Sequence, residues 1–494
     1  MGQDIDQEDF EAEDFERYAK RLDDGLVALQ SVLARPDFGR GPHSVGAELE
    51  FFLVDEAGDP LGRNEAVLEA APDERLTVEL NRFNLECNAS PRGLAGRPFQ
   101  AMREELELLI ARLEQGARSQ GGHVVMVGIL PTLRESDFQA GADTMTDVPR
   151  FRALSAGVRR LRQEAFDIRI DGPEPLEFFA DDVTVEGANT GFQVHLRVEP
   201  DAFASLYNAV QLTTGPVLAA AANSPIFLGH RLWHETRIAL FKQSVDERHE
   251  SWDAWRPPRV SLGNGWVRES AFELFQETVA LHAPLLPVVG DEDPIACARA
   301  GGVPRLDEVR LHHGTVWRWN RGIYDPKGGG HLRIEMRSLP AGPTVVDMIA
   351  NAAFHLGLAL GLQAEADWMT TALPFKYAER NLYRAAQHGL GAMLLWPSRK
   401  PPSPRPMPAS SLILELLPVA RRGLARGGVA QSEIDASLAV IEERVRSKRT
   451  GSEWQLARLA KHDERYDRPD ALRAMLADYR EAQCEGKPVH EWAL

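Results

Sequence analysis

Four stretches of this chain line up ionisable side chains. In GAELEFFLVDEAG, residues 46–58, Glu48 and Glu50 are two apart, so on a strand both carboxylates share one face while Leu49 and Phe51 take the other. Two partly buried carboxylates about 6–7 Å apart repel each other, so the pair calls for a cation, an arginine or open water. In GFQVHLRV, 191–198, Gln193, His195 and Arg197 alternate with Phe192, Val194, Leu196 and Val198. A lone histidine on a strand is an ordinary structural residue; beside the two acids it suits a divalent ion, manganese or, where carboxylates predominate, magnesium. HLRIEMRSLP, 331–340, puts Arg333, Glu335 and Arg337 on one face and Leu332, Ile334 and Met336 on the other. That row either holds a cation and a polyanion together or makes cross-strand salt bridges. Arg318, Asn320 and Arg321 lie just upstream, and the Gly-rich turn at 328–330 lacks the residues that would make it a P-loop. In ELNRFNLECNASP, 79–91, Glu86 lies between Leu85 and Cys87. Glu79, seven residues earlier, falls on the opposite face of an unbroken strand and joins Glu86 only through a bulge or a turn around Asn81 to Asn84.

The elements that must position these groups read as strands in SVGAELEFFLVD, RLTVELNRFNLECNAS, GHVVMVGIL, GFQVHLRV and GHLRIEMRSLP, and as helices over 101–115, 201–222 and 344–362. Strands and helices mix without a regular βαβ rhythm, which favours an α+β fold over a doubly wound sheet. Residues 1–43 form an N-terminal helical segment whose apolar stripe runs through Phe15, Tyr18, Leu22, Leu26, Leu29 and Leu33. Residues 44–397 make the mixed strand-and-helix unit. The stretch 398–410, with five prolines, reads as a linker or long surface loop, and 411–494 as a helical C-terminal region.

Composition narrows the functional classes. The 494 residues are 44% hydrophobic and 26% charged, which is globular, and the net charge of −17 repels nucleic acid and anionic lipid. A phosphate-bearing substrate stays compatible with that charge where arginines or bound cations reverse the local sign. Cys87, Cys297 and Cys484 have neither zinc nor CxxC spacing and read as reduced thiols. The acidic N-terminus has no targeting pattern, and Asp6 stands where a myristoylation signal needs Ser or Thr. The longest apolar run, 349–362, has 14 residues, short of the roughly 20 that span a bilayer. A soluble, cytoplasmic protein is expected.

The order GAELEFF, LEC, QVHLRV, WNR and RIEMR resembles the glutamine synthetase-like superfamily, and within it the bacterial carboxylate-amine ligases called the second glutamate-cysteine ligase family. ANSPIF at 222–227, Arg237 after it, and TGSEWQL at 450–456 extend the resemblance over roughly 44–460. It implies a curved, mainly antiparallel sheet with helices on its convex face, carrying magnesium or manganese ions and the phosphates of ATP. Carried over residue by residue, Glu48, Glu50, Glu86, His195 and Glu335 resemble metal ligands, and Arg321, Arg333 and Asn320 resemble nucleotide contacts. Arg337 and Arg237 resemble catalytic, substrate-side residues; Glu79 lies off the synthetase spacing. The activity implied is an ATP-dependent carboxylate-amine ligase forming an acyl phosphate, with the γ-carboxyl of glutamate and cysteine or another amine as substrates. No covalent enzyme nucleophile is needed, and no GxSxG elbow is present. A phosphotransferase of the same fold, a non-catalytic binding protein and a metal-dependent hydrolase are the alternatives. Small-molecule carboxylate and amine partners are expected, without nucleic acid or membrane; a homo-oligomer is left open, and the amine acceptor is not legible.

Overall fold

The alternating segments pair into one antiparallel sheet. The computed structural model describes residues 5, 7–139, 144–249, 255–400 and 403–494. The strands are β1 Ser44–Asp55, β2 Leu76–Val78, β3 Asn84–Gly93, β4 Gly122–Val125, β5 Phe166–Ile170, β6 Leu176–Ala180 and β7 Phe192–Val198. They continue with β8 Ile226–Phe227, β9 His230–Arg231, β10 Asn320–Asp325, β11 His331–Met336, β12 Met393–Trp396 and β13 Arg405–Pro408. The main sheet runs β10-β11-β7-β1-β3-β2, with β4 also on β1, and every pairing in it is antiparallel. This is the α+β arrangement expected. The stretch 75–90 divides into β2 and β3, with a turn at Asn81–Asn84 where the Asn84 N–H donates to the Asn81 carbonyl at 2.8 Å.

Because each strand alternates, the sheet has an apolar and a polar face. Leu49, Phe51, Leu85, Val194, Leu196, Ile334 and Met336 are all fully buried on the apolar face. The helices Pro98–Ser119, Phe203–Ala221 and Val345–Leu362 pack against these strands. Fully burying a side chain of this size contributes about 1.5–3 kcal/mol, so the apolar face anchors the register that orders the polar one. Phe203–Ala221 is buried almost all round, and its few polar side chains, such as Asn208 and Gln211, are hydrogen-bonded inside the protein. Uninterrupted run length undercounts the last helix: the helical stretch Val345–Ala372 contains an 18-residue window with a mean hydropathy of 1.6, and it is long enough to cross a membrane. Yet 89% of that apolar window is buried inside the protein, so it serves as a core helix.

At the N-terminus, helix Ala12–Leu33 buries Tyr18, Leu22, Leu29 and Val32, while Leu26 and Leu33 are half-buried. Tyr18 Oη donates to the Glu308 carbonyl at 2.8 Å and ties this helix to Asp307–Gly314. The Pro-rich stretch is more structured than a linker: β13 pairs with β12, and helix Ala409–Arg426 begins directly after it. That helix lies so close to Val345–Leu362 that a side chain at Gly423 would meet the Gly357 carbonyl at 1.9 Å. Helices Gln431–Ser447, Gly451–Asp463 and Arg468–Cys484 complete the C-terminal region. Cys87 is buried, Cys297 half-buried and Cys484 exposed.

Candidate active site

The register assembles the polar face from residues far apart in sequence. Glu335 on β11 stands directly opposite His195 on β7. On β1, Glu48 is opposite Gln193 of β7 and Asn88 of β3, and Glu50 is opposite Glu86. Arg321 of β10 faces Glu335, and Arg333 faces Arg197. His195 Nε2 lies 3.2 Å from Glu48 Oε1 and 4.0 Å from Glu335 Oε1. One donor atom from each of these three residues falls within 4.8 Å of the others.

Hydrogen bonds hold the row in place. Arg321 grips Glu335 with two bonds, Nε to Oε2 at 2.7 Å and Nη2 to Oε1 at 3.2 Å, and Arg337 Nη1 donates to the same carboxylate at 3.3 Å. Arg337 Nη1 also donates to Gln193 Oε1, and Gln193 Nε2 donates to Glu50 Oε1 at 3.0 Å. The Gly191 N–H donates to Glu50 Oε2 at 2.6 Å. Arg333 bridges Asp325 Oδ2 at 2.7 Å and His195 Nδ1 at 3.2 Å. A guanidinium only donates, so Nδ1 accepts and the ring proton sits on Nε2.

Charge divides this face into two ends. Burial opposes ionisation of Glu335, but Arg321 and Arg337, then His195, hold its carboxyl well below the usual range. At the other end burial, then Glu48 and Glu50, pushes Glu86 up to about 7. Burial and then Glu50 pushes Glu186 up to about 8. Glu79 is raised well above its ordinary value by burial and then by Glu86, Glu50 and Glu186. Burial also raises Glu50, partly offset by Arg337. Cys87, beside Glu86, has its thiol pushed up by burial and then by that acid, so it is no nucleophile.

The structure brings Glu48, Glu50, Glu86, His195, Glu335, Arg321, Arg333 and Arg337 to one face. Arg237 joins from behind: fully buried at the start of helix Arg237–Ser244, it donates through Nε to Glu235 at 2.7 Å and through Nη2 to the Ser338 carbonyl at 2.8 Å. A side chain at Gly191 would meet Arg237 Nη1 at 3.4 Å and Glu50 Oε2 at 3.6 Å, so that corner of the guanidinium adjoins the site.

Asn320 corrects the expected nucleotide set. It pairs with Met336 in register and turns inward, donating to Gln211 Oε1 at 2.6 Å and Thr214 Oγ1 at 2.9 Å on helix Phe203–Ala221. Alternation along β10 sends it to the face opposite Arg321. Glu79, in contrast, reaches Glu86 through the turn at Asn81–Asn84. Glu186 escapes sequence reasoning because it sits in the 3-10 turn Val183–Ala188, where no periodicity marks it. Gln193, Arg197 and Asp325 also belong to the face or its rim; alternation from His195 and Arg333 is the signal that finds the first two. A cavity of about 390 Å³ lined by Trp368, Trp396, Leu416 and Val419 shares no residue with this face.

The donor set fits a divalent cation. His195 Nε2 is buried without a well-aligned hydrogen bond, two acids flank it, and the carboxyls of Glu50, Glu79, Glu86 and Glu186 are all raised above their ordinary value, chiefly by burial. Oxygen donors with one imidazole suit magnesium or manganese.

The family model described as Glutamate-cysteine ligase family 2 matches residues 44–476. No curated protein sequence matches the chain. Among solved structures, it is similar to a glutamate-cysteine ligase from Francisella tularensis in complex with AMP, with a TM-score of 0.55 at 14% identity over 93% of this chain and 96% of that one. A bifunctional glutathione synthetase from Pasteurella multocida gives a TM-score of 0.46 at 12% identity over 95% of this chain and 54% of that one.

Proposed function

The chain belongs to glutamate-cysteine ligase family 2, and from that premise we propose that it joins the γ-carboxyl of glutamate to an amine, cysteine foremost, at the expense of ATP. It is an ATP-dependent carboxylate-amine ligase. The observation that carries the reading of the site is the convergence of His195, Glu48 and Glu335 from three strands, within 4.8 Å, beside Arg321 and Arg337.

A carboxylate is a poor acyl donor until the γ-phosphoryl group of ATP is transferred to it with ADP leaving, giving an acyl phosphate whose carbonyl the amine then attacks, expelling inorganic phosphate as the amide forms. Two anions must first meet. Arg337 and Arg321 would lower that repulsion and stabilise charge spreading over the transferring group. Glu48, His195 and Glu335 would hold one cation and Glu50, Glu79 and Glu86 another, with Glu186 behind them. Bound magnesium or manganese would supply Lewis-acid charge neutralisation between nucleotide and carboxylate. Ligation through His195 Nε2 requires the ring proton on Nδ1. Arg333 would therefore give up its bond to Nδ1 and be free for a phosphate oxygen, with Arg197 opposite it. Arg237 offers its Nη1 corner to the substrate carboxylate.

The test is ADP release in the presence of magnesium, ATP, glutamate and a panel of amines, with products read by mass spectrometry. The reading expects a glutamyl amide and ADP in equal amounts. Phosphorylation that proceeds identically with every amine and yields no amide would replace the ligase by a phosphotransferase.

A further inference from the structure

Two sequence features, ANSPIF at 222–227 and TGSEWQL at 450–456, lie outside the row of cations and acids, and the structure joins them to it. Asn223 is fully buried and is held from the C-terminal helices: Gln455 Nε2 donates to its Oδ1 at 2.9 Å, and its own Nδ2 donates to Tyr479 Oη at 2.9 Å and to the Ala341 carbonyl at 2.7 Å. Helix Gly451–Asp463 starts so close that a side chain at Gly451 would meet Asn223 Oδ1 at 2.0 Å. The Asn223 N–H donates to Glu235 Oε2 at 2.8 Å, and Glu235 Oε1 accepts from Arg237 Nε at 2.7 Å. Asn223 and Glu235 are 0% exposed, Gln455 and Tyr479 1%, and Arg237 4%, so no water competes along this chain of contacts.

Such burial has a consequence for Arg237. An unpaired guanidinium here would be strongly destabilised, and Glu235 is the acid that neutralises it. With Nε on Glu235 and Nη2 on the Ser338 carbonyl, two sides of the planar fork are fixed, and Nη1 is left beside Gly191 and Glu50 with no hydrogen bond among the described residues.

We infer that Glu235 is a positioning residue for Arg237, and that Asn223 links its carboxylate to the C-terminal helices so that their packing sets the aim of Arg237 Nη1 at the carboxylate substrate. The inference rests on the proposed function, which supplies that substrate. It assigns the C-terminal region a part in carboxylate affinity and gives Arg237 a directed rather than merely structural arginine's role.

Isothermal titration of magnesium-ATP, followed by L-glutamate and a panel of other small carboxylates, onto the wild type, Glu235→Gln and Tyr479→Phe tests it. Loss of that charge-assisted bond predicts carboxylate affinity about tenfold or more weaker in Glu235→Gln, with ATP affinity within about twofold. Tyr479→Phe, which removes one hydroxyl and keeps the ring, is expected to move carboxylate affinity in the same direction by a few-fold; it stands as the readout should Glu235→Gln fail to fold. Glu235→Asp, which keeps the charge, should recover part of the loss. Equal weakening of ATP and carboxylate, or no change in either, overturns the inference while leaving the ligase reading intact. Wild-type protein that binds ATP but no carboxylate overturns both.

Discussion

Glu335 and Glu86 lie on the same face of the same sheet and are almost equally buried, at 2% and 6% exposed, yet they behave as opposite kinds of acid. Glu335 has Arg321 and Arg337 against it and stays ionised. Glu86 has Glu48 and Glu50 nearby and accepts from the neutral amide of Asn88 at 2.7 Å, and it rises to about 7. Burial is common to both, so neighbours decide. One end of the face carries its own counter-charge; the other is a cluster of carboxyls raised above their ordinary values. Under the proposed function the first end would meet phosphate and the second would take a cation.

The contrast can be broken most severely at Glu335. Replacing it with Gln leaves two buried guanidiniums facing a neutral amide and removes a candidate cation ligand, so ADP release should fall by about 10³-fold, read as kcat. Retention of most activity would remove Glu335 from the chemistry.

Next in size is the response of the acidic end to pH. Glu86 ionises near 4.5 when unfolded and about 7 when folded. The folded protein therefore binds the extra proton between those values. Stability from that proton is complete below about pH 4.5 and is lost as pH rises through about 7, a difference on the order of 3 kcal/mol. Glu79 and Glu186 act with the same sign. In EDTA the melting temperature should fall from pH 5 to pH 8, magnesium should raise it more at pH 8, and Glu86→Gln should flatten the slope. A melting temperature indifferent to magnesium at pH 8 would contradict the assignment of cations to this end.

The opposite face supplies a control. Asn320→Ala breaks buried bonds to Gln211 and Thr214 and should cost about 1–3 kcal/mol in urea unfolding, with KM for ATP unchanged in whatever folds. A selective rise in KM would return Asn320 to the nucleotide. Smallest is Asp325→Asn, which weakens a half-exposed pair with Arg333. A change of up to about 1 kcal/mol, seen as a several-fold shift in KM for ATP, is expected.

Much of this was legible along the chain. The first strand occupies the residues its alternation marks, 44–55, and the rows in β7 and β11 present the faces their alternation predicts. The differences are local. Asn320 enters the nucleotide set through the Asn-Arg segment of the resemblance, although adjacency on a strand separates its side chain from that of Arg321. Glu79 stood outside the set because a straight strand would turn it away, and a turn of four residues, Asn81–Asn84, restores it. Glu186 lies in an irregular turn, where spacing carries no directional information. The prolines of 398–410 suggest a solvated connector or surface loop, and the described part is mostly exposed, with β13 an edge strand that tolerates proline.

By itself the sequence determined which residue types alternate with which, and so the two-faced strands, the apolar helices that must cover them and the row Arg333, Glu335, Arg337 in the last strand. Strand order and register belong to the tertiary structure alone. They depend on how well distant apolar faces pack together, and a slip of one residue would turn every polar side chain of a strand toward the core. That collective choice brought His195 to Glu335, left Glu86 among acids, and aimed Arg237 from beneath.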